Sequence, residues 1–76
     1  MTKPDGPVVG RVRDWYDEEG WGVIESPSTP GGCWTHFSAV EADGFRSLRP
    51  GASVELRWEA VEQDGYEYRA TWIREA

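Results

Sequence analysis

Between Ala52 and Val61 the chain alternates without a break, with Val54, Leu56, Trp58 and Ala60 set against Glu55, Arg57 and Glu59. Apolar residues at every second position give a strand one buried face, and they cannot line one side of a helix. The same period recurs in Val8 to Tyr16, where Val8, Gly10 and Val12 alternate with Arg11 and Arg13. Trp21 to Glu25 and Cys33 to Phe37 read as two shorter strands, and Tyr66 to Arg74 as a fifth. Gly22, inside the second strand, marks a close backbone approach or a tight bend. No apolar run reaches helix length.

The connections carry turn chemistry. Asp17-Glu18-Glu19-Gly20 is a turn, and Ser26 to Gly32 is a loop whose prolines and glycines cannot extend a sheet. Ser38 is placed to cap one short helical turn through Val40 and Glu41. Glu41 to Gly51 is a long loop, and Gln63-Asp64-Gly65 is a hairpin turn. Met1 to Pro7 reads as a loose tail, followed by one domain over residues 8–76. Five short strands with one long loop between the third and fourth predict an all-β fold, a small five-stranded antiparallel OB-type Greek-key barrel. An SH3-like barrel competes on pattern alone.

A 76-residue chain has a small core, because a domain of this size buries only about 60% of the surface its unfolded chain exposes. Yet it carries 5 tryptophans, 3 tyrosines and 2 phenylalanines. Such a core cannot hide so many large rings, so some are expected on the surface, where aromatic clusters mark binding sites. Strand parity sorts them. Trp21 and Val23 share a face, opposite Gly22 and the core candidate Ile24. Trp34 and His36 share a face, opposite Cys33, Thr35 and Phe37. If these two strands are neighbours, Trp21, Val23, Trp34 and His36 form one surface, flanked by Arg11 and Arg13. Flat rings stack on unpaired bases, at about 1–3 kcal/mol per base, whereas duplex bases are already stacked. Trp58 and Trp72 are expected in core or hairpin packing, and Cys33 as a small buried hydrophobe.

Charge opposes a simple polyanion binder. Eight basic against fourteen acidic residues give a net charge of −6, which repels phosphate at long range. Aromatic stacking does not need net positive charge. A single cysteine rules out an internal disulfide and fits a reducing cytosol. The first ten residues do not read as a signal peptide, and no stretch approaches the roughly 20 apolar residues that span a bilayer. A cytoplasmic protein is expected, away from membranes and monomeric.

Read together, these segments resemble the cold-shock domain family from about Gly10 to Ile73. Gly10-Arg11-Val12-Arg13 is similar to the family's opening glycine-basic-valine-basic strand. Glu19-Gly20-Trp21-Gly22-Val23-Ile24 resembles its first RNA-binding motif, usually Lys-Gly-aromatic-Gly-Phe-Ile. Cys33-Trp34-Thr35-His36-Phe37-Ser38-Ala39-Val40 resembles the second, commonly Val-Phe-Val-His-Phe-Ser-Ala-Ile. Asp43-Gly44-Phe45-Arg46-Ser47-Leu48, followed by Pro50-Gly51, is similar to the loop after it. Two ordered motifs and the loop, at nearly the family spacing, make the resemblance specific.

The resemblance implies an OB barrel that binds single-stranded RNA or DNA, often pyrimidine-rich, as an RNA chaperone or a transcription or translation modulator. By position it implies contacts from Arg11, Arg13, Trp21, Val23, Trp34, His36, Phe37 and Phe45. Asp14 stands where the family usually has a stacking aromatic. Trp15 follows at once and takes that role if the strand bulges; otherwise it packs where the family places its next aromatic. Glu19 replaces a lysine and Val23 a phenylalanine. Together these departures predict weaker binding than a typical member shows.

A second reading is a protein-interaction barrel with weak or lost nucleic-acid binding, motivated by the charge and by Asp14 and Glu19. Catalysis has nothing to build on. The chain has one histidine, one cysteine, no paired-carboxylate signature and no glycine-rich phosphate loop, so neither an enzyme nor a cofactor is expected. His36 and Cys33 are too few for a metal and, on opposite faces of one strand, point apart.

Overall fold

A computed structural model describes residues 6–42 and 46–76. Five strands form in order: β1 (Val8–Tyr16), β2 (Trp21–Glu25), β3 (Cys33–His36), β4 (Ser53–Glu59) and β5 (Tyr68–Glu75). A single 3₁₀ turn, Phe37–Ala39, follows β3. The strands close in the order β1-β2-β3-β5-β4, with β4 returning to β1. Every neighbouring pair is antiparallel except β3 and β5, which run parallel. This is the expected all-β, OB-type barrel. Closure leaves no open sheet edge, which removes the usual route to strand-to-strand aggregation. No helix among the described residues is long and apolar enough to cross a membrane.

Parity fills the interior. Val12, Ile24, Cys33, Val54, Leu56 and Ile73 are buried together, and Val40, Leu48 and Ala70 complete the cluster. The long loop between β3 and β4 is tied down at both ends. Glu41 N donates to Ile73 O at 2.7 Å, and Gly51 N to Val12 O at 2.8 Å. Leu48, in the same loop, is buried in the core. Trp58 packs against this core and meets Tyr68 edge-on, with ring centroids 5.3 Å apart. Trp72 packs on the outside of the β4–β5 hairpin, its Nε1 donating to Glu41 at 2.7 Å and the Arg74 guanidinium 5.4 Å from its ring centroid.

Two bulges set which side chains face out. In β1, Val12 pairs with Ile24 but Asp14, not Arg13, pairs with Val23. Arg13 is the extra residue, so parity inverts beyond it: Asp14 and Tyr16 turn outward and Trp15 turns inward. Trp15 then lies across Gly22, its ladder partner. A Cβ at Gly22 would collide with the Trp15 ring and the Asp14 carbonyl, which is the close approach that glycine permits here. In β5 the shift falls at Thr71, because Arg57 pairs with Trp72 while Trp58 pairs with Ala70.

Several boundaries differ from expectation: β4 runs Ser53–Glu59, shorter at both ends than Ala52 to Val61, and β5 reaches Glu75. The third strand stops at His36, because Phe37 begins the 3₁₀ turn. That turn is capped by His36, whose Nδ1 accepts from Ser38 N at 3.2 Å, and not by Ser38. The last hairpin keeps Tyr66 in the turn, bridged to Gln63 across Asp64 (φ 51°) and Gly65 (φ 90°), so β5 starts at Tyr68.

Candidate functional site

Strands β2 and β3 are neighbours, and the ladder pairs Trp21 with His36 and Val23 with Trp34. This is the adjacency that the motif reading needs. The outer face carries two parallel rows. One runs Tyr16, Trp21, His36 across β1, β2 and β3. The other runs Asp14, Val23, Trp34, Arg69, Glu59 around all five strands.

The rings form a continuous chain. Tyr16 and Trp21 have centroids 4.8 Å apart, and Trp21 and Trp34 lie 6.2 Å apart with planes inclined by 19°. Trp34 and His36 follow at 5.9 Å and 22°, and His36 and Phe37 at 4.6 Å. Near-parallel neighbouring faces suit flat ligands laid side by side along the surface. Trp21, Trp34 and His36 are half-buried, while Tyr16 and Phe37 are 40% and 42% exposed. Each ring therefore has a seat in the protein and a face toward water.

Local bonds hold the rings in place. Trp21 Nε1 donates to Glu19 at 3.1 Å, so the carboxylate that displaces the family's lysine orients an indole. Trp15 Nε1 donates to Asp17 at 2.9 Å, and Ser47 Oγ donates to the same oxygen at 2.6 Å. His36 Nδ1 accepts from Ser38 N and lies 2.8 Å from Ser38 Oγ. In the neutral ring this puts the proton on Nε2, the nitrogen free to donate to a ligand. Phe37 N donates to Gly20 O at 2.8 Å. The Phe37 ring packs so tightly on Gly20 (φ 77°) that a Cβ there would lie 2.9 Å from it. Trp34 Nε1 is buried without a hydrogen-bond partner among the described residues, a cost of order 1–3 kcal/mol.

Several expected contacts change place. Val23 lies on the outer side of its strand but is only 1% exposed, covered near Gly32 and Tyr66. It is a floor beneath the rings and not a contact surface. Trp15 does not replace the missing aromatic at Asp14: the bulge sends it inward against the core, and its outward place falls to Tyr16. Phe37 is exposed, contrary to strand parity, because the strand has ended before it. Phe45 lies outside the described residues.

The cations are partly engaged. Arg11 is exposed and in register with Glu25. Arg13 Nε donates to Asp14 at 3.1 Å, and its Nη2 to the Tyr66 hydroxyl at 3.3 Å. The Asp14 hydrogen bond raises the Arg13 pKa and holds it charged. Burial pushes the Cys33 thiol from its ordinary value near 9 up to about 12, so it is an inert core residue.

Sequence reasoning missed Tyr16, Glu59 and Arg69. A two-residue period has no mark for a one-residue bulge, and the juxtaposition of Arg69 with Trp34 exists only once β5 docks parallel to β3.

No protein-family model matches the chain. It is 42% identical over 52 residues to the major cold shock protein CspA of Bacillus cereus, covering 68% of this chain and 76% of that protein. It is 40% identical over 47 residues to the cold shock protein CapA of Pseudomonas fragi, covering 62% of this chain and 73% of that one. A cold shock-like protein, CspC of Bacillus cereus, is 39% identical over 49 residues, covering 64% and 74% respectively.

Proposed function

The chain belongs to the cold shock protein family, and on that premise we propose that it binds single-stranded RNA or DNA by stacking unpaired bases along its row of aromatic rings. One observation carries this reading: Tyr16, Trp21, Trp34, His36 and Phe37 form an unbroken, half-exposed chain of ring contacts across three neighbouring strands and the turn that ends the third. A core does not need that arrangement, and the core of this barrel is complete without it. Each base stacked there contributes about 1–3 kcal/mol. His36 Nε2–H donates to a base edge or phosphate, and Arg11 and Arg13 meet the backbone from the β1 side.

Such a module is no enzyme. It holds strands unpaired, which suits an RNA chaperone or a modulator of transcription or translation in the cytoplasm. A monomer is sufficient, since one barrel carries the whole row. Pyrimidine-rich strands suit it because their bases unstack from one another most easily.

Titration of a short oligothymidine or oligouridine at low salt is expected to quench tryptophan fluorescence and shift the NMR signals of the row. Binding is expected to weaken only shallowly with salt, because each phosphate neutralised contributes a slope of about −0.7 and few cations are available. No quenching and no shifts at high micromolar strand would reject the proposal.

The acidic surround favours one other reading. Asp14, Asp17 and Glu19 sit beside the rings, a setting that also fits a basic protein segment. A pull-down that keeps one basic partner after nuclease treatment supports that reading, and partners lost on nuclease treatment count against it.

A further inference from the structure

Beside the aromatic row lies a shallow groove of about 550 Å³, lined by Trp34, His36, Glu59, Gln63 and Arg69 among others. It lies on the outer-face row where Trp34 is in register with Arg69, and Arg69 with Glu59. We propose that this groove reads the edge of one guanine base while its ring stacks on Trp34. The inference rests on the single-strand reading above and adds a base preference to it.

The polar groups are laid out for that edge. Arg69 Nε and Nη2 both converge on Glu59 Oε2, at 3.0 and 2.6 Å. Among the described residues, no hydrogen bond engages Glu59 Oε1. A carboxylate has about four acceptor sites, so Glu59 keeps capacity for two further donors. Arg69 Nη1 reaches Gln63 Oε1 at 3.5 Å, at the limit of a hydrogen bond, and remains available as a donor. The Arg69 and Glu59 side chains are 38% and 30% exposed, so a ligand reaches them without dismantling a buried ion pair.

A carboxylate that accepts two donors, with a guanidinium beside it, selects among bases. Guanine presents N1–H and the N2 amino group next to each other, with O6 as a neighbouring acceptor. The two donors go to Glu59 and O6 accepts from Arg69. Uracil and thymine place a carbonyl on each side of their single N–H, so one oxygen faces the carboxylate. Adenine and cytosine offer one amino group beside a bare ring nitrogen, which also faces the carboxylate. Bidentate recognition of this kind discriminates by roughly five- to a hundredfold, and charge assists it.

The experiment scans a single guanine through a short oligothymidine and compares affinities by fluorescence titration. At one position guanine is expected to bind about tenfold tighter than thymine, as one bidentate contact provides. Hypoxanthine at that position, which lacks the N2 amino group, is expected to lose most of the gain in the unaltered protein. Glu59→Gln frees Arg69 and so is expected to tighten binding of every strand somewhat, but to lose the guanine-over-thymine ratio, which is the quantity compared. Equal affinity for guanine and thymine at every position overturns the inference, and so does a guanine gain that survives both hypoxanthine and Glu59→Gln. Failure of every strand to bind, the all-thymine one included, instead removes the single-strand reading itself.

Discussion

Tyr16 and Trp21 face each other across the β1–β2 ladder, their ring centroids 4.8 Å apart, at the point where the β1 bulge has just inverted the strand's faces. Trp15, one residue earlier, points into the barrel for the same reason. The two neighbours therefore have separable jobs. Tyr16→Ala is expected to weaken oligonucleotide binding by about 1–3 kcal/mol with little loss of stability. Trp15→Ala is expected to lower stability by about 3 kcal/mol, the low end for truncating an aromatic, because its ring is only half-buried. Urea melts and strand titrations on both variants check this. Equal losses of stability in the two would mean that the bulge does not divide them.

Arg13 and Asp14 neutralise each other beside the stacking row. Their ion pair is exposed, with side chains 38% and 44% accessible, so it contributes at most about 1 kcal/mol to stability. Asp14→Asn is therefore expected to leave the melting curve nearly unchanged. It removes a carboxylate from the phosphate path and frees Arg13, so binding tightens. The salt dependence steepens by about 0.7 in slope if Arg13 then neutralises one phosphate. Asp14→Trp is expected to tighten binding further, because position 14 faces outward in register with Val23, next to the rings. Unchanged affinity in both variants would show that the acidic residue does not limit the site.

Much of this was legible in the chain. The alternation of Val54, Leu56 and Trp58 against Glu55 and Arg57 identified β4, and turn residues bounded β1 and β2 at the observed ends. Strand parity put Trp21 with Val23 and Trp34 with His36, and joined them into one surface on the condition that the two strands are neighbours, as short strands joined by one loop tend to be. The register that pairs Trp21 with His36 came only with the fold. What stayed hidden depended on register. Arg-Val-Arg-Asp-Trp-Tyr reads as a strand with either parity, so nothing local shows that Arg13 is the extra residue. Phe37 read as inward because the His36 cap that ends β3 is a three-dimensional event. Arg69 and Glu59 are separated by a hairpin, and Trp34 lies on a distant strand. Only barrel closure brings the three into one row.

Gly22 is the backbone condition for the site. Its Cα lies where the Trp15 ring and the Asp14 carbonyl leave no room for a side chain. Gly22→Ala would force apart β1 and β2, the two strands that carry Tyr16 and Trp21. Neither a backbone carbonyl nor a packed indole yields cheaply, so a loss above about 3 kcal/mol is expected. That is a large share of the stability of so small a domain. Thermal unfolding followed by circular dichroism tests it, and a shift in melting temperature of only a degree or two would show that the strands can part without harm.

Cys33 gives the barrel a dependence on alkaline pH. It is fully buried in the core cluster, and burial raises its pKa from near 9 to about 12. The unfolded chain releases the thiol proton above about pH 9 while the folded barrel retains it, so the folded state binds more protons through that window. Stability then falls as pH rises from about 9 to 12, by of order 1 kcal/mol per pH unit from this group. Below pH 9 both states hold the proton and the contribution is flat. Cys33→Ala removes the titrating group, and its stability is expected to decline less steeply across the same window, although the lost sulfur lowers it throughout. Thiol-specific reagents at neutral pH are expected to label the protein only through its transiently unfolded molecules, far more slowly than a free thiol. Rapid labelling under native conditions, or parallel pH profiles for the two proteins, would place the sulfur outside the sealed interior.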